Sequence, residues 1–210
     1  MNPYWHVKRE WKNEIVVILG GGPSAVAASH SFLASFRVIT INDSFRLYPA
    51  ADILYFCDLC WWEKRQQEVW NNFQGERLVT LENDIPGVLR LRNTGSVDLE
   101  TEPDGLRHGS NSGYQAINLA FHMGARRIVL VGFDMRIVAE TAHWNTDHVM
   151  QQNEAGFALT LRQVMLPKFE TLRTPLEAAG VEVFNATPNS ALTVWPYVPL
   201  REALQLPVAF

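Results

Sequence analysis

At 210 residues with 47% apolar side chains, the chain can bury one sizeable core and falls short of two full domains, so a single domain over residues 1–210 is expected. Its 18 Lys and Arg against 22 Asp and Glu give a net charge of −4, which excludes a general attraction to polymeric nucleic acid or an anionic membrane. Two cysteines exclude a disulfide-rich secreted scaffold, and with no readable leader and no apolar run near the roughly 20 residues of a membrane span, the cytoplasm is the expected compartment.

Residues 1–13 form an N-terminal extension carrying Tyr4, Trp5 and Trp11. Residues 14–19 are a short β-branched run ending at three glycines, the pattern of a strand buried on both faces of a parallel sheet. The Ala-rich stretch 25–34 then suits a helix with Pro23 or Ser24 near its start. Further strands are expected at 37–41, 53–56 and 77–81, with an aromatic, charged helix at 61–73. Residues 83–111 hold several Gly and Pro and read as an irregular insertion with a short strand near 88–91. Apolar spacing predicts a helix over 113–123, a strand over 127–131, a long helix over 157–176 kinked at Pro167, and a last strand over 181–184.

Strands alternating with helices imply an α/β, Rossmann-like domain, with a mostly parallel sheet covered by helices on both faces. In such sheets a ligand sits beyond the carboxyl ends of the strands, where strand order reverses. That rule nominates the loops at 20–24, 42–43, 132–148 and 185–190.

Gly20-Gly21-Gly22-Pro23-Ser24 leaves the first strand without side-chain obstruction and leads toward a helix start, where backbone amides favour phosphate. The turn is neither G-x-G-x-x-G nor a Walker motif, so dinucleotide and P-loop readings fail; a plain strand-to-helix turn is the competing reading. Asn42 and Asp43 end the second strand, where a short polar side chain reaches a ribose or base, or serves as a cap. Ser110-Asn111-Ser112-Gly113 precedes a helix, so Asn111 or Ser112 is a ready N-cap, compatible with an anion contact. His143, Trp144, Asn145, Asp147 and His148 form the densest polar cluster, where a histidine can accept a proton from a hydroxyl. A solvated surface loop is the alternative there.

A metal site at His143, Asp147 and His148 matches no established ligand spacing, so no metal ligand is assigned. Mg²⁺ enters only with a diphosphate-bearing substrate, through Asp134 or Asp147. Cys57-Asp58-Leu59-Cys60 has redox-motif spacing but lacks the usual flanks, and two reduced, half-buried thiols are the simpler reading. Trp61, Trp62 and Trp70, like Trp5 and Trp11, fit core packing first and a homo-oligomer contact second.

Taken in order, these motifs resemble one grouping: bacterial lipooligosaccharide sialyltransferases, flagellin-glycosylating motility accessory factors and archaeal-type hydroxymethyldihydropterin pyrophosphokinases. The resemblance rests on Gly20 to Ser24, Asn42, Ser112-Gly113, Gly132-Phe133-Asp134, His143 before Asn145 to Asp147, and Pro188 to Ser190 after the last strand. It implies that Gly20, Gly22, Ser24, Asn42, Ser112 and Gly113 contact a nucleotide, that Asn189 and Ser190 close the pocket, and that His143 acts as general base. Two departures stand out. The family's Asn in the glycine turn is Gly21 here, and the shorter spacing to Asn-Thr-Asp makes His148 a competitor for the base role. Three functions follow as expectations: transfer from a nucleotide-activated sugar to a small-molecule or glycan acceptor, ATP-dependent pyrophosphoryl transfer with Mg²⁺, or non-catalytic nucleotide binding.

Overall fold

Eight short strands line up side by side, all parallel, in the order β6-β5-β4-β3-β2-β1-β7-β8. The computed structural model describes residues 3–27, 33–145, 147 and 154–205. The strands are β1 (Ile15–Leu19), β2 (Arg37–Ile41), β3 (Ile53–Phe56), β4 (Arg77–Leu81), β5 (Leu89–Gly95), β6 (Gly105–Arg107), β7 (Arg127–Val131) and β8 (Glu182–Asn185). After β1 the chain builds outward to β6, then returns to lay β7 on the other side of β1 in the register Ile15 to Arg127 and Leu19 to Val131. Strand order therefore reverses between β1 and β7.

Alternation along the strands sends side chains to opposite faces. Val16, Ile18, Ile39, Ile53, Tyr55 and Val79 pack under helices α2 (Ser112–Met123) and α4 (Leu166–Ala178), together with Val7 and Trp11. Val17, Leu19, Val38 and Val131 face α5 (Leu200–Gln205), and Leu54, Phe56 and Leu78 meet Trp61, Trp62 and Val69 of α1 (Leu59–Asn72). Both faces are thus covered, which is why the central strands carry almost uninterrupted apolar runs.

Three expectations change. Residues 83–111 are not an insertion beside the sheet, since they supply β5 and β6; the three-residue β6 between Pro103 and Gly109 has no apolar run to announce it. The N-terminal extension is fastened to the body: Trp5 and Val7 amides donate to Arg90 and Pro103 carbonyls, and Trp11 to that of Met123. The stretch read as a helix over 25–34 is a 3₁₀ turn at Pro23–Ala27 and another at Leu33–Ser35; residues 28–32 lie outside the described ones. The long helix is divided as Pro167 dictates. Helix α3 (Glu154–Thr160) passes into a π-helical turn, Leu161–Met165, before α4, because proline offers no N–H to the preceding turn. No helix among the described residues is long and apolar enough to cross a membrane.

Candidate functional site

A cavity of about 630 Å³ runs along the carboxyl edge of the sheet. Its floor comes from the loops leaving β7, β1, β2, β3, β4 and β6 with Asn93 of β5, its side from the head of α2, and its apolar wall from Phe157, Leu161 and Met165. The π-turn contributes the last two, and such turns recur at functional sites because they re-aim side chains out of helical register.

The three turn glycines are held in different ways. A Cβ on Gly20 would come 2.8 Å from the Gly132 carbonyl oxygen, and one on Gly22 would come 2.1 Å from Oδ2 of Asp134. Both are buried, and their amides donate to the carbonyls of Val131 and Gly132. Gly21 differs. It is half-exposed, its amide has no partner among the described residues, and a Cβ there would meet only Nδ1 of His143, at 3.3 Å.

Phe133 joins this turn to the head of α2. A Cβ on Gly113 would stand 2.5 Å from one edge of its ring, and one on Gly20 would stand 3.1 Å from another. Asn111 caps α2, its Oδ1 accepting from the amides of Gly113 at 2.7 Å and Tyr114 at 3.3 Å. The Ser112 amide has no partner among the described residues. Phe133 thus lies between Gly20 and Gly113, and the neighbouring residues Gly21 and Ser112 carry the open amides, the second reinforced by the positive end of a 12-residue helix.

Four buried polar atoms on the lining have no partner among the described residues: the acceptors Asn42 Oδ1 and Asp43 Oδ2, and the donors Trp144 Nε1 and Asn145 Nδ2. Unmet hydrogen-bonding groups on a cavity wall are places for ligand or solvent. The other oxygen of Asp43, a residue 3% exposed, accepts from Arg65 Nε at 2.9 Å.

His143 stands beside Gly21 and its ring packs on Phe157 with centroids 5.7 Å apart. The next residue, Trp144, donates its amide to the Gly21 carbonyl, so the loop after β7 folds back over the glycine turn. Asp147 ties that loop down through ion pairs with Arg65 at 2.8 Å and Arg46 at 3.3 Å. Burial works against its charged form, but the bonds from Arg65 and Arg46 prevail and hold its carboxyl down at about 2. His148 lies outside the described residues.

Of the residues read from the sequence, Gly20, Gly21, Gly22, Asn42, Asp43, Ser112, Gly113 and His143 line the one cavity. Pro23, Ser24, Asp134, Asn189 and Ser190 do not. Asp134 Oδ2 accepts from the amide and hydroxyl of Ser24, at 3.2 and 2.8 Å, bracing the glycine turn from beneath. Ser190 donates to the Phe133 carbonyl and Arg136 to that of Asn189, so this turn supports the wall from behind instead of closing the pocket.

Asp134 and Asp147 are thus committed to different partners, and among the described residues no three His, Cys, Asp or Glu side chains converge on a metal-sized site. The arrangement does not fit a built Mg²⁺ site. Cys57 lies on the lining, its Sγ 3.3 Å from Ser112 Oγ; burial, with Asp58 adding, pushes its thiol up to about 12, which removes it as a nucleophile near neutrality. Cys60 is exposed on α1, and the two cysteines are not joined in a disulfide. The sequence reading passed over His108, Gln115 and the apolar wall as ligand-facing groups. Periodicity marks Leu161 and Met165 only as a helix's inner face.

No protein-family model matches the chain, and no curated protein matches it in sequence. Solved structures are similar to it in fold. The sialyltransferase CstII from Campylobacter jejuni in complex with CMP-3FNeuAc superposes with a TM-score of 0.53 at 15% identity, over 89% of this chain and 86% of that one. The same enzyme with cytidine-5'-monophosphate gives 0.53 at 14%, over 92% and 87%, and the monofunctional α-2,3-sialyltransferase Cst-I from Campylobacter jejuni gives 0.54 at 14%, over 88% and 80%. The chain has a Rossmann-like α/β fold, and these sialyltransferases share it.

Proposed function

We propose that the protein is a transferase that binds a nucleotide-activated sugar along this cavity, with the phosphate at the amides of Gly21 and Ser112. The observation that carries this reading is one cavity lined by two residues with open amides, Gly21 and Ser112, and by the His143 imidazole. Asn42 and Asp43 offer acceptors to the nucleoside's hydroxyl or amino groups. The fold neighbours solved with CMP and a CMP-sugar analogue support a nucleotide ligand.

Charge selects the donor class. Among the described residues Arg136 is the one Lys or Arg on the lining, against Asp43, Asp58 and Glu82. A diphosphate or triphosphate would enter with little to neutralise it, whereas a single bridging phosphate needs only backbone donors. This favours a nucleoside monophosphate sugar over ATP-dependent pyrophosphoryl transfer. In the reaction, His143 takes the proton of the acceptor hydroxyl as its oxygen attacks the anomeric carbon. The carbon–phosphate oxygen bond breaks, and the charge left on phosphate falls on the two amides.

Calorimetry with CMP, UMP, GMP, AMP and their sugar conjugates tests this. At least one monophosphate should bind at millimolar concentration or tighter, and His143→Asn should keep that affinity while losing turnover. No binding by any of them contradicts the proposal, as does full turnover by His143→Asn.

A further inference from the structure

Beyond the glycine turn the cavity continues along the ends of β3, β4 and β5, reaching about three strand spacings, or about 14 Å, from β1 to β4. This arm is lined by Asp58, Glu82, Asn83, Asn93 and His108, with no Lys or Arg among its lining residues. The Asp58 carboxylate caps no amide of α1 although it stands at the N-cap position. Glu82 accepts from the Tyr4 hydroxyl on one oxygen and from the Asn93 amide on the other, while Asn83 donates to the Cys57 carbonyl and Thr80 hydroxyl, leaving its Oδ1 as its open group.

Of the nearby cations, Arg92 pairs with Asp104, Lys168 stands behind Ser110 on the hydroxyls of Ser96 and Ser110, and the buried Arg90 lies over the Tyr4 ring with its Nε unpaired. His108 Nδ1 accepts the Ser110 amide at 3.0 Å, which puts the ring proton on Nε2 and makes that atom a donor. Burial, with Lys168 adding, lowers its pKa, so the ring is neutral near pH 7.

Carboxylate acceptors, amide side chains and one neutral imidazole donor are the groups that recognise hydroxyls. We infer that this arm holds an uncharged sugar ring on the nucleotide phosphate and disfavours one bearing a carboxylate, as a sialic acid does. The inference rests on the nucleotide reading above and narrows its substrate class, since a carboxylate here would lie among Asp58 and Glu82 with no lining cation.

The test is imidazole NMR of His108 in the full chain, titrated with methyl β-galactoside and with its C6 carboxylate, methyl galacturonoside. The neutral sugar should shift the His108 signal and bind about tenfold tighter or more than the acid. The Asp58→Asn, Glu82→Gln variant should bring the two within about twofold. Equal or tighter binding of the acid by the wild type overturns the inference, as does no shift of His108 with either sugar. The wild-type comparison stands should the variant misfold. CMP calorimetry reads the glycine turn, Ser112 and Asn42 without a sugar in the arm, so a failure of nucleotide binding is seen separately.

Discussion

A methyl group on Gly22 would overlap Asp134 Oδ2 and also lie 2.6 Å from the Gly132 carbonyl oxygen, with neither atom free to retreat: the carboxylate holds Ser24, and the carbonyl accepts the Gly22 amide. Gly22→Ala should therefore cost about 1–3 kcal/mol, the range for overpacking a tight site. At Gly21 the one close contact is the edge of the His143 ring, so Gly21→Ala should stay within about 0.5 kcal/mol of wild type. Urea denaturation of both variants checks this, and equal losses would contradict the assignment. The three glycines were legible in the sequence as a site, but their reasons were not. Two are glycine because the loop after β7 crosses them, a contact between residues more than 100 positions apart that no local pattern announces. The same holds for Asp134: a polar residue at a strand end reads as a ligand contact until its partner, Ser24, is seen.

At the scale of elements, one carboxylate clips the loop after β7 to α1, beside backbone bonds at Trp144 and Asp147. The folded-state value for Asp147 is lowered from an ordinary 3.8 to about 2, so its ion pairs with Arg65 and Arg46 are at full strength above about pH 4. They are lost as pH falls through about 2. The Trp144 indole, three residues away and tied by its amide to the glycine turn, reports the change: its NMR signal should hold above about pH 4 and move as pH falls through about 2, while Asp147→Ala should show the low-pH position at neutral pH. An unchanged signal in Asp147→Ala would contradict the clip. The strands that bury β-branched runs on both faces, such as β1, β2 and β7, could be read directly. Neither the 3₁₀ turn after the glycines nor β6 could. The first is a short turn whose Ser24 amide bonds to Asp134, and the second is three residues whose pairing with β5 is set by tertiary contact. Among the described residues, the helix start that brings an open amide to the cavity is that of α2, whose Asn111 cap the sequence did reveal.

For the whole molecule, the reversal of strand order between β1 and β7 accounts for the site's position. Two loops leave adjacent strands for crossovers on opposite sides, and a crevice opens between and beside them. That rule, applied to the sequence alone, placed three of its four nominated loops on the cavity. The fourth, after β8, lies behind Phe133, at the far side of β7 from the crevice. What the rule cannot supply is the cavity's length and charge. Those follow from β4 and β5 joining the sheet as parallel strands and bringing Glu82, Asn83 and Asn93 to the same edge.

The crystal structure of the protein with CMP tests the central claim most directly. The phosphate is expected within hydrogen-bonding distance of the Gly21 and Ser112 amides, with the nucleoside toward Asn42. A nucleotide bound elsewhere, or a phosphate turned away from both amides, would contradict the account.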